Sequence, residues 1–218
     1  VKHRYQTSLI VGGYHGAESP LPGKEALLRR FVFATALVAA LAAPALAADY
    51  GIDPNHTQAT FTVTHLAISR VSGKVPVTGG TVSVGANGLP TAISATFSTK
   101  DIDTQSADRD HDLRGPDWFE VDKFPTMTFV AKSISGTPQA FTVAGDLTMH
   151  GVTKPVTLNA KELGKLTDGR GRTHIGYAAT GTLDRRDWGL TWGRATPGGG
   201  LIAGNDVTLD INVEIVSK

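Results

Sequence analysis

From Thr57 to His65 the chain alternates strictly, with Ala59, Phe61, Val63 and His65 on one face and Thr60, Thr62 and Thr64 on the other. The same period of two returns in Ile93, Ala95 and Phe97, in Met127, Phe129 and Ala131, and in Val207, Leu209, Ile211, Val213 and Ile215. Alternation of this kind predicts antiparallel strands with one buried face. Turn signals separate the runs: Asn87-Gly88, Gly136-Thr137-Pro138, His150-Gly151 and Asp168-Gly169. About eight strands at hairpin-like spacing predict an all-β barrel or sandwich. An antiparallel barrel of that size can enclose one small ligand, and the inward sets are apolar.

One stretch departs from the strand pattern. Ser106 to Arg114 predicts a helix, with Ser106 as its cap and Asp108 and Asp110 in its N-terminal half. Asp110 and Arg114 stand four apart and predict an ion pair. Gly115-Pro116 ends the helix. Asp117 then predicts a cap for a second turn holding Trp118 and Phe119, with Glu120 placed as in a capping box. Phe124, before Pro125, is pushed extended and launches the next strand. The result is a short helical insertion around residues 106–121, set between two strands.

Composition adds limits. Lys24, Arg29 and Arg30 precede an apolar run from Phe31 to Leu41, followed by Pro44 and the small-residue site Ala45-Leu46-Ala47. That order predicts a secretory signal peptide at about 24–47, cleaved after Ala47, and a periplasmic product. Residues 1–26, which begin at Val1, show no periodicity and are read as an over-called start; 1–47 is then leader and 48–218 one domain. Five of the 21 basic residues and two of the 20 acidic ones fall in the leader, so the remainder carries a net charge of about −2. Nothing in that charge attracts nucleic acid. The chain has no cysteine, which excludes disulfides and thiolate sites.

Candidate chemistry is sparse. Asp108, Asp110, His111 and Asp112 have metal-ligand side chains, and Asp101, Asp103 and Gln105 begin like a calcium loop. Ser106 replaces the glycine that loop requires, Asp112 stands where glutamate is needed, and residues on one helix diverge around its axis. Five His and many Ser follow the leader, but no nucleophile elbow of the form G-x-S-x-G occurs. No metal site, catalytic residue or cofactor is therefore expected. His65, at the end of an apolar face, suits either a ligand headgroup or a hydrogen-bonded barrel end. By alternation alone, Phe61, Val63, Phe97, Met127, Phe129, Leu147 and Met149 suit a filled core as well as a cavity wall.

Residues 101–129 carry a resemblance. Arg109-Asp110, Leu113-Arg114, Asp117-Trp118-Phe119-Glu120-Val121 and Phe124-Pro125-Thr126 resemble the signature of the YceI-like, polyisoprenoid-binding family. Ile52-Asp53-Pro54-Asn55-His56, with Phe61, Val63, His65 and Leu66, resembles its first strand. The run from Gly145 to Val156 resembles its central hairpin. Arg186-Asp187-Trp188-Gly189 and Gly204-Asn205-Asp206-Val207 resemble its last turns. The likeness spans residues 49–216 in order. It departs at Asp112, where the family has His, at Gly115-Pro116, and in the loop from Trp188 to Ala203.

The resemblance implies an eight-stranded, lipocalin-like antiparallel barrel whose cavity takes a polyisoprenoid lipid or isoprenoid quinone. It implies a stress-linked binding protein without an established reaction. The ligand-facing residues it suggests are Phe61, Val63, His65, Phe97, Trp118, Phe119, Met127, Phe129, Leu147, Met149 and Trp188. Trp118 and Phe119 would pack the insertion at the barrel mouth, where a headgroup would sit. The expected function is that of a periplasmic carrier. The alternatives are an enzyme acting on such a lipid and a structural protein with a filled core. Transient membrane contact and a homodimer are both compatible with the sequence.

Overall fold

The structure, a computed structural model, describes residues 47–193, 195, 198 and 200–218, together with Gly12, Gly13 and Gly16. The chain divides into two units, Val1–Pro44 and Ala45–Lys218. The expected signal peptide lies outside the described residues, apart from Ala47 at its end.

The second unit is a β-barrel. Its strands are β1 Ala48–Ile52, β2 Gln58–His65, β3 Ser69–Lys74, β4 Val77–Val84 and β5 Pro90–Ser98. The helix α1 Ala107–Arg114 follows. Then come β6 Thr126–Thr137, β7 Ala140–Met149, β8 Val152–Thr167, β9 Thr173–Asp184, a 3-10 turn Arg185–Trp188, and β10 Ala203–Ser217. The order is β1-β4-β5-β6-β7-β8-β9-β10-β2-β3, and β1 also pairs with β10. Every neighbour is antiparallel.

Ten segments make eight staves. β10 pairs with β1 through Ile215 to Ser217 and with β2 through Ala203 to Asn212, so β1 and β2 are two parts of one stave. β4 and β3 stand against them in the same way. The breaks fall at Asp53–Thr57 and at Val75-Pro76. Pro54 and Pro76 lack the N–H that a continuous ladder needs. Strand β10 spans the first break: Asp53 N donates to Glu214 O at 2.9 Å, and Glu214 N donates to Thr57 Oγ1 at 3.1 Å. The closed barrel of eight staves agrees with the sequence expectation.

The inward faces keep the expected period of two. In β7, Leu147 and Met149 are buried as expected, with Phe141, Val143 and Gly145 buried on the same face and the residues between them not buried. In β10 only Val207 and Ile215 of the predicted set are fully buried. Leu209, Ile211 and Val213 stay partly accessible because they face an internal space. Tyr50, Val84, Ile175 and Ile215 are all buried and close one end of the barrel as a floor.

The insertion between β5 and β6 forms the helix as expected, but its local contacts differ. Ser106 takes the N-cap position and makes no side-chain capping bond. Asp110 does not pair with Arg114. Its Oδ1 accepts from Thr104 N at 2.8 Å and from Thr104 Oγ1 at 2.6 Å, six residues back. Arg114 donates instead to Lys100 O and Ile102 O, each at 2.7 Å. Main-chain carbonyls thus win both Arg114 donors, because the segment before the helix folds across its inner face. The capping box at Asp117 is also absent: residues 116–119 form a turn, and Glu120 sits at φ 45°. Lys74 and Asp103 exchange backbone bonds of 2.8 and 3.1 Å, which tie the insertion to β3.

Asp110 is 7 % exposed, so its loss leaves the Thr104 N–H and hydroxyl without an acceptor. Asp110→Ala is expected to cost about 1–3 kcal/mol, read as a lowered denaturant midpoint. An unchanged midpoint would show that Asp110 does not hold the insertion.

Beyond the floor lies a chain of ion pairs. His174 Nδ1 meets Glu214 Oε1 at 2.8 Å and its Nε2 meets Asp168 Oδ2 at 3.2 Å. His56 Nδ1 meets Asp53 Oδ2 at 2.9 Å. Hydrogen bonds to Glu214 and Asp168 raise the His174 pKa above its ordinary 6.5, and the bond to Asp53 raises that of His56. The backbone and side-chain bonds of Arg172, with a smaller contribution from His174, hold Asp168 well below the carboxylate range, and the His56 bond lowers Asp53. The His contribution to stability is complete below about pH 6.5, the unfolded value, and is lost as pH rises through the raised folded values. The Asp contribution is complete above about pH 4 and is lost as pH falls through the lowered folded values. The Tm is therefore expected to be highest between about pH 4 and 6.5 and to decline above it. His174→Gln should flatten the alkaline side of the profile. A wild-type Tm that rises from pH 6 to 8 would contradict this account.

Candidate functional site

The interior holds a cavity of about 580 Å³, within the range of small-molecule sites. Its wall is largely apolar. It includes Phe61, Val63, Phe97, Met127, Phe129, Leu147 and Met149, joined by Val143, Leu158, Ala179, Leu209, Ile211 and Val213.

Two glycines keep the lumen open. Phe61 faces Gly73 across the β2–β3 ladder, and a Cβ on Gly73 would stand 2.5 Å from Phe61 Cζ. A Cβ on Gly145 would likewise stand 2.5 Å from Phe129 Cζ. Each ring therefore lies over a residue without a side chain, flat along the wall. This close approach of a ring to bare backbone is what glycine in a strand permits.

The cavity reaches the surface beside the insertion, where exposed Asp108 and Asp112 join its lining with half-buried Arg109, Trp118, Phe119 and His65. Trp118 packs against Trp192, ring centroids 5.2 Å apart, and the Arg185 guanidinium lies 5.0 Å over the Trp118 ring. Arg185 is 4 % exposed and also lines the cavity. Its donors go to uncharged acceptors: Gly204 O at 2.9 Å, Ala203 O at 3.1 Å, Asn205 Oδ1 at 3.3 Å, and Leu190 O. Burial lowers its pKa below the usual arginine value. Of the two adjacent arginines, Arg186 pairs with a carboxylate, its Nε donating to Asp184 at 3.0 Å, and Arg185 does not.

Ten of the eleven candidate residues line this one space: Phe61, Val63, His65, Phe97, Trp118, Phe119, Met127, Phe129, Leu147 and Met149. Trp188 does not. It is 1 % exposed, and its Nε1 donates to Leu147 O at 3.0 Å, so it packs within the barrel wall. The 3-10 turn Arg185–Trp188 places the indole against β7, where Leu147 O accepts its N–H.

Sequence reasoning missed two polar groups of the wall. Neither Arg185 nor Tyr177 is among the eleven candidates. Tyr177 is 6 % exposed, lines the cavity, and its hydroxyl has no hydrogen-bond partner among the described residues. Burial raises its pKa further above 10. Tyr177 falls on the inward parity of β9 beside buried Ile175, which is the signal that could have found it.

The metal-type residues of the helix do not converge, since Asp110 is committed to Thr104. Among the described residues, the set whose donor atoms approach one another is Asp53, His56 and Glu214, within 4.8 Å, beyond the floor. The Asp53–His56 hydrogen bond accounts for much of that approach.

A closed antiparallel barrel with one apolar interior and a mouth guarded by a helical insertion defines a lipocalin-like binding barrel. The chain belongs to the YceI-like family: residues 50–215 match the YceI-like domain. It is 35% identical over 169 residues to a UPF0312 protein of Pseudomonas paraeruginosa, covering 75% of this chain and 88% of that protein. The crystal structure of the Campylobacter jejuni YceI protein is similar at TM-score 0.62 and 27% identity, over 71% of this chain and 90% of that one. A polyisoprenoid-binding domain from Saccharophagus degradans shares the fold at TM-score 0.55 and 15% identity, over 79% and 99% of the two chains.

Proposed function

We propose that this protein is a periplasmic carrier of a polyisoprenoid lipid, such as an isoprenoid quinone, and that it binds without transforming its ligand. The observation that carries the reading is the cavity: about 580 Å³, largely apolar, and reaching the exposed residues of the insertion. Membership of the YceI-like family and the fold shared with a polyisoprenoid-binding domain support the ligand class. The small-residue leader motif before Ala48 supports export.

The mechanism is burial. Each CH₂ taken from water contributes about 0.8 kcal/mol, so a long apolar tail needs few polar contacts to be held. The floor of Tyr50, Val84, Ile175 and Ile215 directs the tail inward from the mouth. The headgroup then rests among Trp118, Arg109, Arg185 and His65, which offer aromatic faces and hydrogen-bond donors.

Titration of delipidated protein with quinones of increasing tail length tests this. Tryptophan emission from Trp118 and Trp192 should quench saturably, and affinity should rise with each isoprene unit until the cavity is full. A tail-less quinone that quenches equally well, or long-tailed quinones that do not bind, would defeat the reading.

A further inference from the structure

We infer that the rim of the mouth is a membrane-docking lip, formed by the β2–β3 loop and by Leu201 and Ile202, which lead into β10. Six large apolar side chains are exposed among the described residues, and three of them sit on these two segments: Leu66, Leu201 and, at 85 % exposure, Ile68. The segments form one rim. Leu66 N donates to Ile202 O at 3.0 Å, and His65 pairs with Ala203. Ile202 and His65 themselves line the cavity, so the exposed residues continue its wall outward onto the surface.

The backbone supports a dedicated role. Leu66 and Ala67 sit at φ 54° and 60°, a left-handed conformation that side chains with a Cβ avoid and that turns usually assign to Gly or Asn. The chain keeps apolar residues there, and the turn carries Ile68 outward. The rim also carries cations, Arg70 and Arg109, beside the exposed carboxylates Asp108 and Asp112 of the insertion. Arg70, two residues beyond Ile68, is exposed and has no ion pair among the described residues. Arg109 spends its Nε and Nη2 on Thr104, without a carboxylate ion pair among the described residues. The opposite end of the barrel carries the Asp53, His56, His174 and Asp168 ion pairs. No helix among the described residues is long and apolar enough to cross a membrane, so the contact assigned here is peripheral.

Docking in this orientation sets the open mouth on the bilayer, and a tail can pass between membrane and lumen without crossing water. It rests on the carrier reading for its purpose and is tested separately from it. Flotation with phosphatidylethanolamine–phosphatidylglycerol vesicles should carry the protein upward. The double variant Ile68→Ser, Leu201→Ser should partition roughly tenfold more weakly or worse. Arg70→Glu should weaken flotation at low salt and have little effect at high salt. Leu163→Ser with Leu166→Ser, which alters the exposed leucines of β8 toward the far end, should float like the parent. All these sites are exposed, and an unchanged Tm confirms that each variant is folded.

Protein that stays at the bottom of the gradient overturns the inference, as does loss of flotation in the Leu163, Leu166 variant with retention in the Ile68, Leu201 variant. Bound isoprenoid is measured by extraction from the same preparations. Lipid-loaded protein that does not float overturns the docking and spares the carrier reading. Protein that floats through the lip without bound isoprenoid supports the docking and overturns the carrier reading.

Discussion

Ala179→Trp is expected to abolish retention of the isoprenoid while the barrel stays folded. Ala179 lines the cavity midway along β9, opposite Ala160 in the β8–β9 ladder. A tryptophan there extends into empty space instead of into packed side chains. Overpacking strain, which usually makes small-to-large changes costly, is therefore small. The bicyclic ring displaces a section of tail comparable to one isoprene unit. At about 0.8 kcal/mol per carbon that amounts to roughly 4 kcal/mol, or several hundredfold in affinity. Quinone titration with a parallel thermal melt checks this. Full affinity in a folded variant would show that the tail does not occupy this part of the lumen.

Trp188→Ala should do the reverse. Trp188 is 1 % exposed and fills the wall between β7 and the 3-10 turn. Truncation removes a large buried side chain and leaves Leu147 O without its indole donor, for a cost of about 3–5 kcal/mol. In a domain of this size that lowers Tm by on the order of 10 °C. Trp188→Phe, which keeps most of the packing and loses the hydrogen bond, should lie between. Below its transition the folded Ala variant should bind ligand as the parent does, because the indole is not part of the lining. A selective loss of affinity at unchanged Tm would return Trp188 to the binding site.

These two substitutions separate what the sequence could say from what it could not. Period-two alternation marks Leu147, Met149 and the apolar face of β10 as inward, and the structure keeps that parity, with Val207 and Ile215 buried. Alternation cannot say whether inward residues meet across the barrel. That depends on register, because Phe61 and Phe129 leave the lumen open only by lying over Gly73 and Gly145 of neighbouring strands. The helix was legible from its polar run and its Gly-Pro stop. Its anchoring was not, because Asp110 and Arg114 bind main-chain and Thr104 groups outside the helix in place of each other. Trp188 was misplaced for a related reason: four residues of 3-10 turn carry no periodicity that a sequence can display. Arg185 is not legible as part of the wall because most of its partners are backbone carbonyls, which every sequence contains.

The mouth brings the remaining observations together. It gathers an apolar wall, a buried guanidinium, an aromatic pair and an exposed leucine–isoleucine rim. An amphiphile with a long tail finds there both an apolar channel and groups for its head.

Native mass spectrometry of the protein, expressed as the full chain in a bacterial host and purified without detergent, tests the carrier reading most directly. The account predicts an adduct of isoprenoid mass at one ligand per barrel, lost on organic extraction and restored by adding the extracted lipid. A bare protein mass, unchanged after incubation with long-tailed quinones, would contradict it.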